Sequence, residues 1–279
     1  MTRLCLLAVA LLAAALPTAA EPPKAPKNRN IRFGMPGEAR DDPKSAEAFL
    51  IERPQYVLSY NDKRKTPNWV CWQLVARDIG RTARGAFEPD KALPKAFTPV
   101  TSAAYTGSGF DRGHMCPSRD RSDTAENNDA TFLMTNVIPQ APACNQKGWE
   151  KFERYCRELA EGGKEVYLAC GPHGQGGVNG DGARKVTVGR NAPFVTVPAH
   201  VWKVALVVDR GVNPTKNSRA IAVWMPNDQT VTDEWANYRV PVAEVEKKTG
   251  LKFWPLVPDE VAAALKEKAD AVKVHTPKN

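Results

Sequence analysis

Three apolar runs in the second half of the chain, residues 166–169, 201–208 and 220–225, constrain the fold most strongly. Each is far shorter than the ~20 apolar residues that a bilayer-crossing helix needs. Their Val, Ile and Ala content, bounded by polar and Gly-containing segments, reads as central strands. A glycine-rich loop at 171–182 separates the first two. The 279 residues can build a sizeable hydrophobic core, because the buried fraction of a chain rises with its length. With 42% hydrophobic and 25% charged residues, the composition excludes wholly disordered, collagen-like and polytopic membrane classes.

Other segments fit around these strands. Residues 56–60 and 69–75 have β-branched and aromatic content on either side of the turn-prone stretch 61–67, predicting a hairpin. A short helix is predicted over 42–51. The clearest helix spans 145–160, where Trp149, Phe152, Cys156 and Leu159 recur at helical spacing and no proline intervenes. Residues 241–249 predict another, with Gly250 suited to a left-handed stop. The last twenty residues read as a helix followed by a loose basic tail. No internal repeat or interdomain linker is visible, so the reading is one α+β domain with a central antiparallel or mixed sheet, over 31–260, with 261–279 as the terminal helix and tail.

The first twenty residues stand apart. Arg3 supplies a positive start, residues 4–16 are apolar, and Pro17 through Ala20 offer small residues for cleavage after Ala20. The expectation is an exported protein, periplasmic or released, with no membrane partner. A lipid anchor at Cys5 is the alternative, opposed by the lack of a hydrophobic segment before it. Residues 21–30 are rich in proline and lysine and read as a flexible leader. The formal charge is +8, and falls to +7 when Arg3 is removed. Such an excess suits polyanionic partners without selecting one. Cys71, Cys116, Cys144, Cys156 and Cys170 would remain, an odd set in a compartment that permits disulfides.

Among His114, His173, His200 and His275, only His114 has neighbours that suggest chemistry. It lies in GSGFDRGHMCPSRDR, residues 107–121, and 31 positions later Asn145 lies in TNVIPQAPACNQKGWEKFERYCREL, residues 135–159. Together these blocks closely resemble the DNA/RNA non-specific endonucleases, the ββα-metal (His-Me finger) nuclease family that includes mitochondrial endonuclease G. The flanking segments YNDKRKTPNWVCWQL (60–74) and VPAHVWKVALVVD (197–209) also look like that family, so the resemblance covers most of residues 31–258.

The resemblance implies an enzyme that cuts DNA and RNA with one Mg2+, Mn2+ being an allowed substitute, and leaves 5′-phosphate ends. Phosphodiester hydrolysis needs an activated water, stabilised phosphoryl charge and help for the leaving alkoxide. A neutral imidazole, with an ordinary pKa of about 6.5, can accept a proton near physiological pH, so His114 is read as the general base. The family assigns Asn145 as the direct metal ligand, consistent with the preference of Mg2+ for hard oxygens and retained waters; the plain alternative is that Asn145 caps the helix that starts there, and the two roles could coexist. On that helix Glu153 stands ~80° from Asn145 and Arg157 ~40° from Glu153. By resemblance Glu153 orients the metal's water and Arg157 contacts phosphate, whereas the plain alternative is a surface ion pair. Arg112 is assigned charge stabilisation in the transition state. Asp111 is supporting, holding the turn or orienting Arg112. Asn136 matches a family position near the substrate but reads equally as a network residue, and Gln140 is a weaker match. Arg84, Arg119 and Arg121 are candidates for tracking the nucleic-acid backbone.

Cys116 and Cys144 flank the expected site, so a Cys116–Cys144 disulfide is one expectation, with strand alternation placing Cys116 beside His114. A Cys156–Cys170 pair competes with it. Zinc held by His114, Cys116, Cys144 and Cys156 is a further alternative, opposed because it would occupy the base. Two rival functions remain: a nucleic-acid-binding protein with an inactive nuclease fold, and a phosphodiesterase acting on another exported polyanion. An inhibitor protein as partner stays open, as do oligomeric state and strand preference.

Overall fold

A computed structural model describes residues 26–191 and 193–274. Its core is a seven-stranded sheet in which every neighbouring pair is antiparallel. The strands are β1 (Phe49–Glu52), β2 (Val57–Asn61), β3 (Thr66–Leu74), β6 (Lys164–His173), β7 (His200–Asp209), β8 (Arg219–Pro226) and β9 (Arg239–Val240), paired in that order. A separate two-stranded ladder joins β4 (Asp111–His114) to β5 (Val137–Gln140). The helices are α1 (Ala125–Thr131), α2 (Glu150–Glu161), α3 (Val242–Thr249) and α4 (Asp259–Lys266).

The three apolar runs are unbroken because both faces of the sheet are covered. On β7, Val201, Ala205 and Val207 join one core, which also holds Trp72, Trp149 and Phe152, while Trp202, Val204, Leu206 and Val208 join a second core with Trp69, Phe253 and Trp254. Period-two alternation sends successive residues to opposite faces, so a strand covered on both sides carries no polar rhythm. The first face holds the β4–β5 ladder and α2. The second is covered by α3 and α4 through Val242, Val245, Ala262 and Leu265. Gly250 ends α3 at φ 76°, as predicted.

Three sequence expectations need correction. Residues 42–51 form turns and then β1 instead of a helix, because Phe49 and Ile51 are buried while Leu50 and Glu52 are less so, a strand pattern completed by pairing with β2. The leader is shorter than 21–30: Asn28 caps a turn at Arg29–Ile31, Asn30 is buried, and Arg29 pairs with Asp78. The described part of the tail after α4 is tied down, since Asp270 binds Arg219 and Arg239, and Arg239 also donates to the Val272 carbonyl. The predicted signal peptide and His275 lie outside the described residues.

All five cysteines from Cys71 to Cys170 are buried and free, so neither expected disulfide forms. Strand β4 ends at His114, so the alternation argument does not reach Cys116. Cys144 accepts a bond from the Gln140 amide at 3.5 Å, and Cys170 donates to the Met115 carbonyl at 3.4 Å. Burial pushes the Cys144 and Cys156 thiols up to about 12, where almost no reactive thiolate exists near neutrality. In the native protein these five thiols should resist a thiol reagent over minutes and all react after denaturation; rapid native labelling would contradict the packing.

Candidate active site

The site grows from one ββα unit. In the β4–β5 ladder Asp111 faces Gln140 and His114 faces Val137. Gly113 is required between Arg112 and His114, since a Cβ there would stand 2.6 Å from the Gln140 Cβ. After β5 the chain enters a helix at Pro142, in the first turn where its missing N–H costs nothing. A π turn at Asn145–Trp149 follows, then α2. The helix therefore begins three residues before the predicted start, and Asn145 lies within it at φ −63°, not at a capping position.

Instead of capping, Asn145 donates from Nδ2 to Asp111 Oδ2 at 2.8 Å, and Gln146 Nε2 donates to the same oxygen at 2.8 Å. Asp111 thus orients Asn145, not Arg112. Its carboxylate takes up the amide nitrogen and leaves the amide oxygen of Asn145 as a hard donor. Among the described residues no three His, Cys, Asp or Glu side chains gather where they could hold an ion, which removes the zinc alternative. One fixed amide oxygen with water completing the shell fits Mg2+, which dehydrates reluctantly and accepts few protein ligands.

At the other end of β4, His114 is 9% exposed and lies against two aromatic rings, Phe132 at 4.7 Å and Phe87 at 5.0 Å between centroids. Its Nε2 is buried with no hydrogen-bond partner. Burial, and secondarily the charge of Arg84, push its pKa down to about 3, so the ring stays neutral with an acceptor available. The same aromatic frame gathers two cations. The exposed Arg84 guanidinium lies 5.3 Å from the Phe132 ring, and that of Arg112 lies 5.9 Å from both Phe87 and Tyr105. Arg112 is held by donating to the Ser102 carbonyl at 2.7 and 3.2 Å.

The lowered His114 pKa has a consequence for stability. Below about pH 6.5 the unfolded chain takes up a proton that the folded imidazole refuses. Stability is thus fully present above that pH and is lost as pH falls toward the folded value, by up to ~1.4 kcal/mol per unit. Urea unfolding at pH 7 and pH 5 should show a smaller difference for His114→Phe than for the wild type. Equal differences would mean that His114 protonates freely in the fold.

Glu153 is buried beneath the helix, where its carboxylate accepts from Lys203 Nζ at 2.8 Å. Burial raises its pKa despite the pull of Lys203 and Arg157. Lys203 is fully buried on β7, 4.0 Å from the Trp149 ring centroid and 5.5 Å from that of Trp72. Burial pulls its pKa down most strongly, and Glu153 together with Cys170 and Asp120 more than offsets that, leaving the pKa raised. Sequence reasoning missed Lys203. The available signal was a single lysine inside an otherwise apolar strand, since an unpaired buried cation is costly.

Other candidates are structural. Asn136 is completely buried and fully used: its Oδ1 accepts from the Cys116 N–H, and its Nδ2 donates to the Cys116 and Thr131 carbonyls, each at 2.9 Å. It is a network residue holding the Cys116 and Thr131 backbone. Arg157 is bound to Asp120 at 3.1 Å, and Asp120 also accepts from the Trp72 indole, so this guanidinium is engaged in an internal ion pair. Arg121 is 1% exposed and donates to the Gln55 and Gln73 carbonyls, which excludes it from backbone tracking. Arg119 is exposed. The structure thus gathers His114, Arg112 and Arg84 around one aromatic frame, with Asn145 tied to the same strand.

The sequence profile of a family described as DNA/RNA non-specific endonuclease matches residues 37–260. The chain is 40% identical to a protein named Nuclease from Nostoc sp., covering 86% of each. It is 34% identical to Nuclease C1 of Cunninghamella echinulata, over 80% of this chain and 86% of that one. Mitochondrial Endonuclease G of Homo sapiens is 32% identical over 80% of this chain and 72% of its own. In structure, the chain is similar to a solved EndoG in complex with EndoGI, with a TM-score of 0.67 and 25% identity, covering 82% of this chain and 91% of that one.

Proposed function

The chain belongs to the DNA/RNA non-specific endonuclease family, and from that premise we propose an exported, sugar-non-specific hydrolase of DNA and RNA that uses one Mg2+ and leaves 5′-phosphate ends. The observation that carries this reading is the neutral His114 imidazole on the strand whose Asp111 fixes Asn145. His114 accepts the proton of the attacking water on its neutral imidazole. Arg112, already aligned by the Ser102 carbonyl, directs its remaining donors at phosphoryl oxygens, and Arg84 adds a screened positive charge for the incoming backbone. Asp111 engages the Asn145 amide nitrogen, so the amide oxygen would be the atom to hold the cation. Bound there, Mg2+ supplies charge neutralisation on the phosphate and the leaving oxygen. Glu153, raised in pKa and braced by Lys203, is suited to hold and return a proton on the leaving-group side.

Sequence-independent cutting fits a site built from phosphate-directed cations, because phosphate contacts carry no base information. Export rests on the N-terminal pattern of Arg3, an apolar run and Ala20. Since the solved relative is captured in an inhibited complex, a protein inhibitor is proposed as a partner here too. Purified protein should digest plasmid, linear single-stranded DNA and RNA with Mg2+ and not with chelator, and ligase should join the ends without prior kinase treatment. Retention of nucleic acid without Mg2+-dependent cutting would favour the inactive-fold alternative, and digestion persisting in chelator would exclude the metal role. N-terminal sequencing of the exported protein should begin at Glu21.

A further inference from the structure

On the sheet face opposite the ββα unit, a groove of about 670 Å³ is lined by residues that include Arg64, Trp69, His173, Gln175 and Trp202. It joins a row of rings at the adjacent strand ends. His173 on β6 and His200 on β7 are direct cross-strand partners, and both contact Trp224 on β8, at 4.9 and 5.4 Å between ring centroids. Lys248 Nζ stands 4.9 Å from the Trp224 ring, and exposed Arg64 reaches the same rim from the turn between β2 and β3. Trp202, in the groove wall, is fully buried, yet its indole N–H has no partner. Three features thus coincide: a surface of stacking rings, two cations at its edge and an unsatisfied donor beneath.

We propose that this groove is a second binding site for single-stranded nucleic acid, remote from the cutting centre, where a base stacks on the His173–His200–Trp224 row and phosphates meet Arg64 and Lys248. The inference rests on the nuclease reading above for its choice of polymer, and its chemistry is that of single-strand platforms, which pair aromatic faces with a cationic track. Both imidazoles are held below their usual pKa by burial, with nearby positive charge adding to it, so they offer neutral stacking faces near pH 7. The nearby acids have other partners or only loose contacts: Glu38 pairs with Arg40, Glu47 pairs with Lys63 while its field reaches Arg64, Asp228 beside His200 accepts from Thr230, and Glu244 meets Lys248 only as a half-exposed i, i+4 partner. The groove volume is in the range of small-ligand sites, enough for part of a strand and not for a duplex. A long substrate could occupy both faces of the sheet, whereas a short one could occupy only one.

The test separates this site from the cutting centre. Full-length protein in chelator is irradiated with an oligothymidine carrying one 5-iodouracil, and the cross-linked peptides are mapped. Cross-links to the peptides containing His173, His200 or Trp224 are expected, and cross-links confined to residues 84–157 would overturn the proposal. In parallel, Trp224→Ala and the surface variant Arg64→Ala/Lys248→Ala are compared with wild type. A roughly 5- to 100-fold rise in KM for long single-stranded DNA is expected, corresponding to one base stack, with kcat on a dinucleotide-sized substrate unchanged. An unchanged KM in the surface variant, which leaves the core untouched, would sink the proposal. Cross-linking requires no catalysis, so an inactive enzyme that still labels Trp224 would refute the nuclease reading and leave the groove assignment standing.

Discussion

His114→Ala is expected to lower turnover by ~10²–10⁴-fold, the usual range for loss of a positioned general base, while the protein still folds and retains nucleic acid. The substitution removes contacts to Phe87 and Phe132, and it also removes a buried nitrogen that has no partner. An unsatisfied buried polar atom costs about 1–3 kcal/mol, so the two effects oppose each other and the net stability change is small. Retention is expected because Arg84 and Arg112, the phosphate-directed cations, do not depend on the imidazole for their placement. Arg112 is held by the Ser102 carbonyl and Thr106. Plasmid nicking followed over time, beside a gel shift in chelator, measures both properties. A variant that nicks at the wild-type rate would remove His114 from the chemistry, and one that neither binds nor folds would show that the ring is a core element.

That expectation was legible in the sequence, because adjacency within the chain specifies His114, Arg112 and Asp111, and the helix pattern reaches Asn145 and Glu153. What could not be read was how non-local contacts use those side chains. Arg84 and Arg121 look alike as letters. One is exposed over Phe132 while the other is buried against carbonyls of segments 66 and 48 residues away. Arg157 has the helical phase expected of a phosphate contact, yet its partner Asp120 arrives from a loop 37 residues earlier. Asn136 is committed to Cys116, 20 residues away. The same distinction applies to the fold. The central strands announced themselves through continuous apolar runs, whereas β1, a four-residue edge strand, has too few alternations to be distinguished from a helical turn. Cys116 and Cys144 flank the site in sequence, but both are buried in the core and unpaired.

The second large effect is predicted at a residue outside the two motif blocks that hold His114 and Asn145. Lys203→Met should destabilise the protein by about 3–5 kcal/mol, because removing one member of a buried ion pair leaves the other charge uncompensated. For a domain of this size that corresponds to a fall in Tm of ~6–20 °C. The carboxylate left behind is Glu153, 8% exposed under α2, and it can avoid the cost only by taking a proton, which its raised pKa already favours. Activity should therefore fall together with stability. The double variant Lys203→Met/Glu153→Gln separates two explanations. With no charge left to strand, it should regain most of the lost stability, as buried pairs replaced together often do. If the pair serves folding alone, activity returns with stability. If Glu153 carries the leaving-group proton, activity stays low in a protein that melts near the wild-type temperature. The ammonium is enclosed by Trp149 and Trp72, so the charge cannot move to another partner. Glu153 is its hydrogen-bonded anion, and this makes the pair one functional unit fixed between the sheet and the helix that carries Asn145.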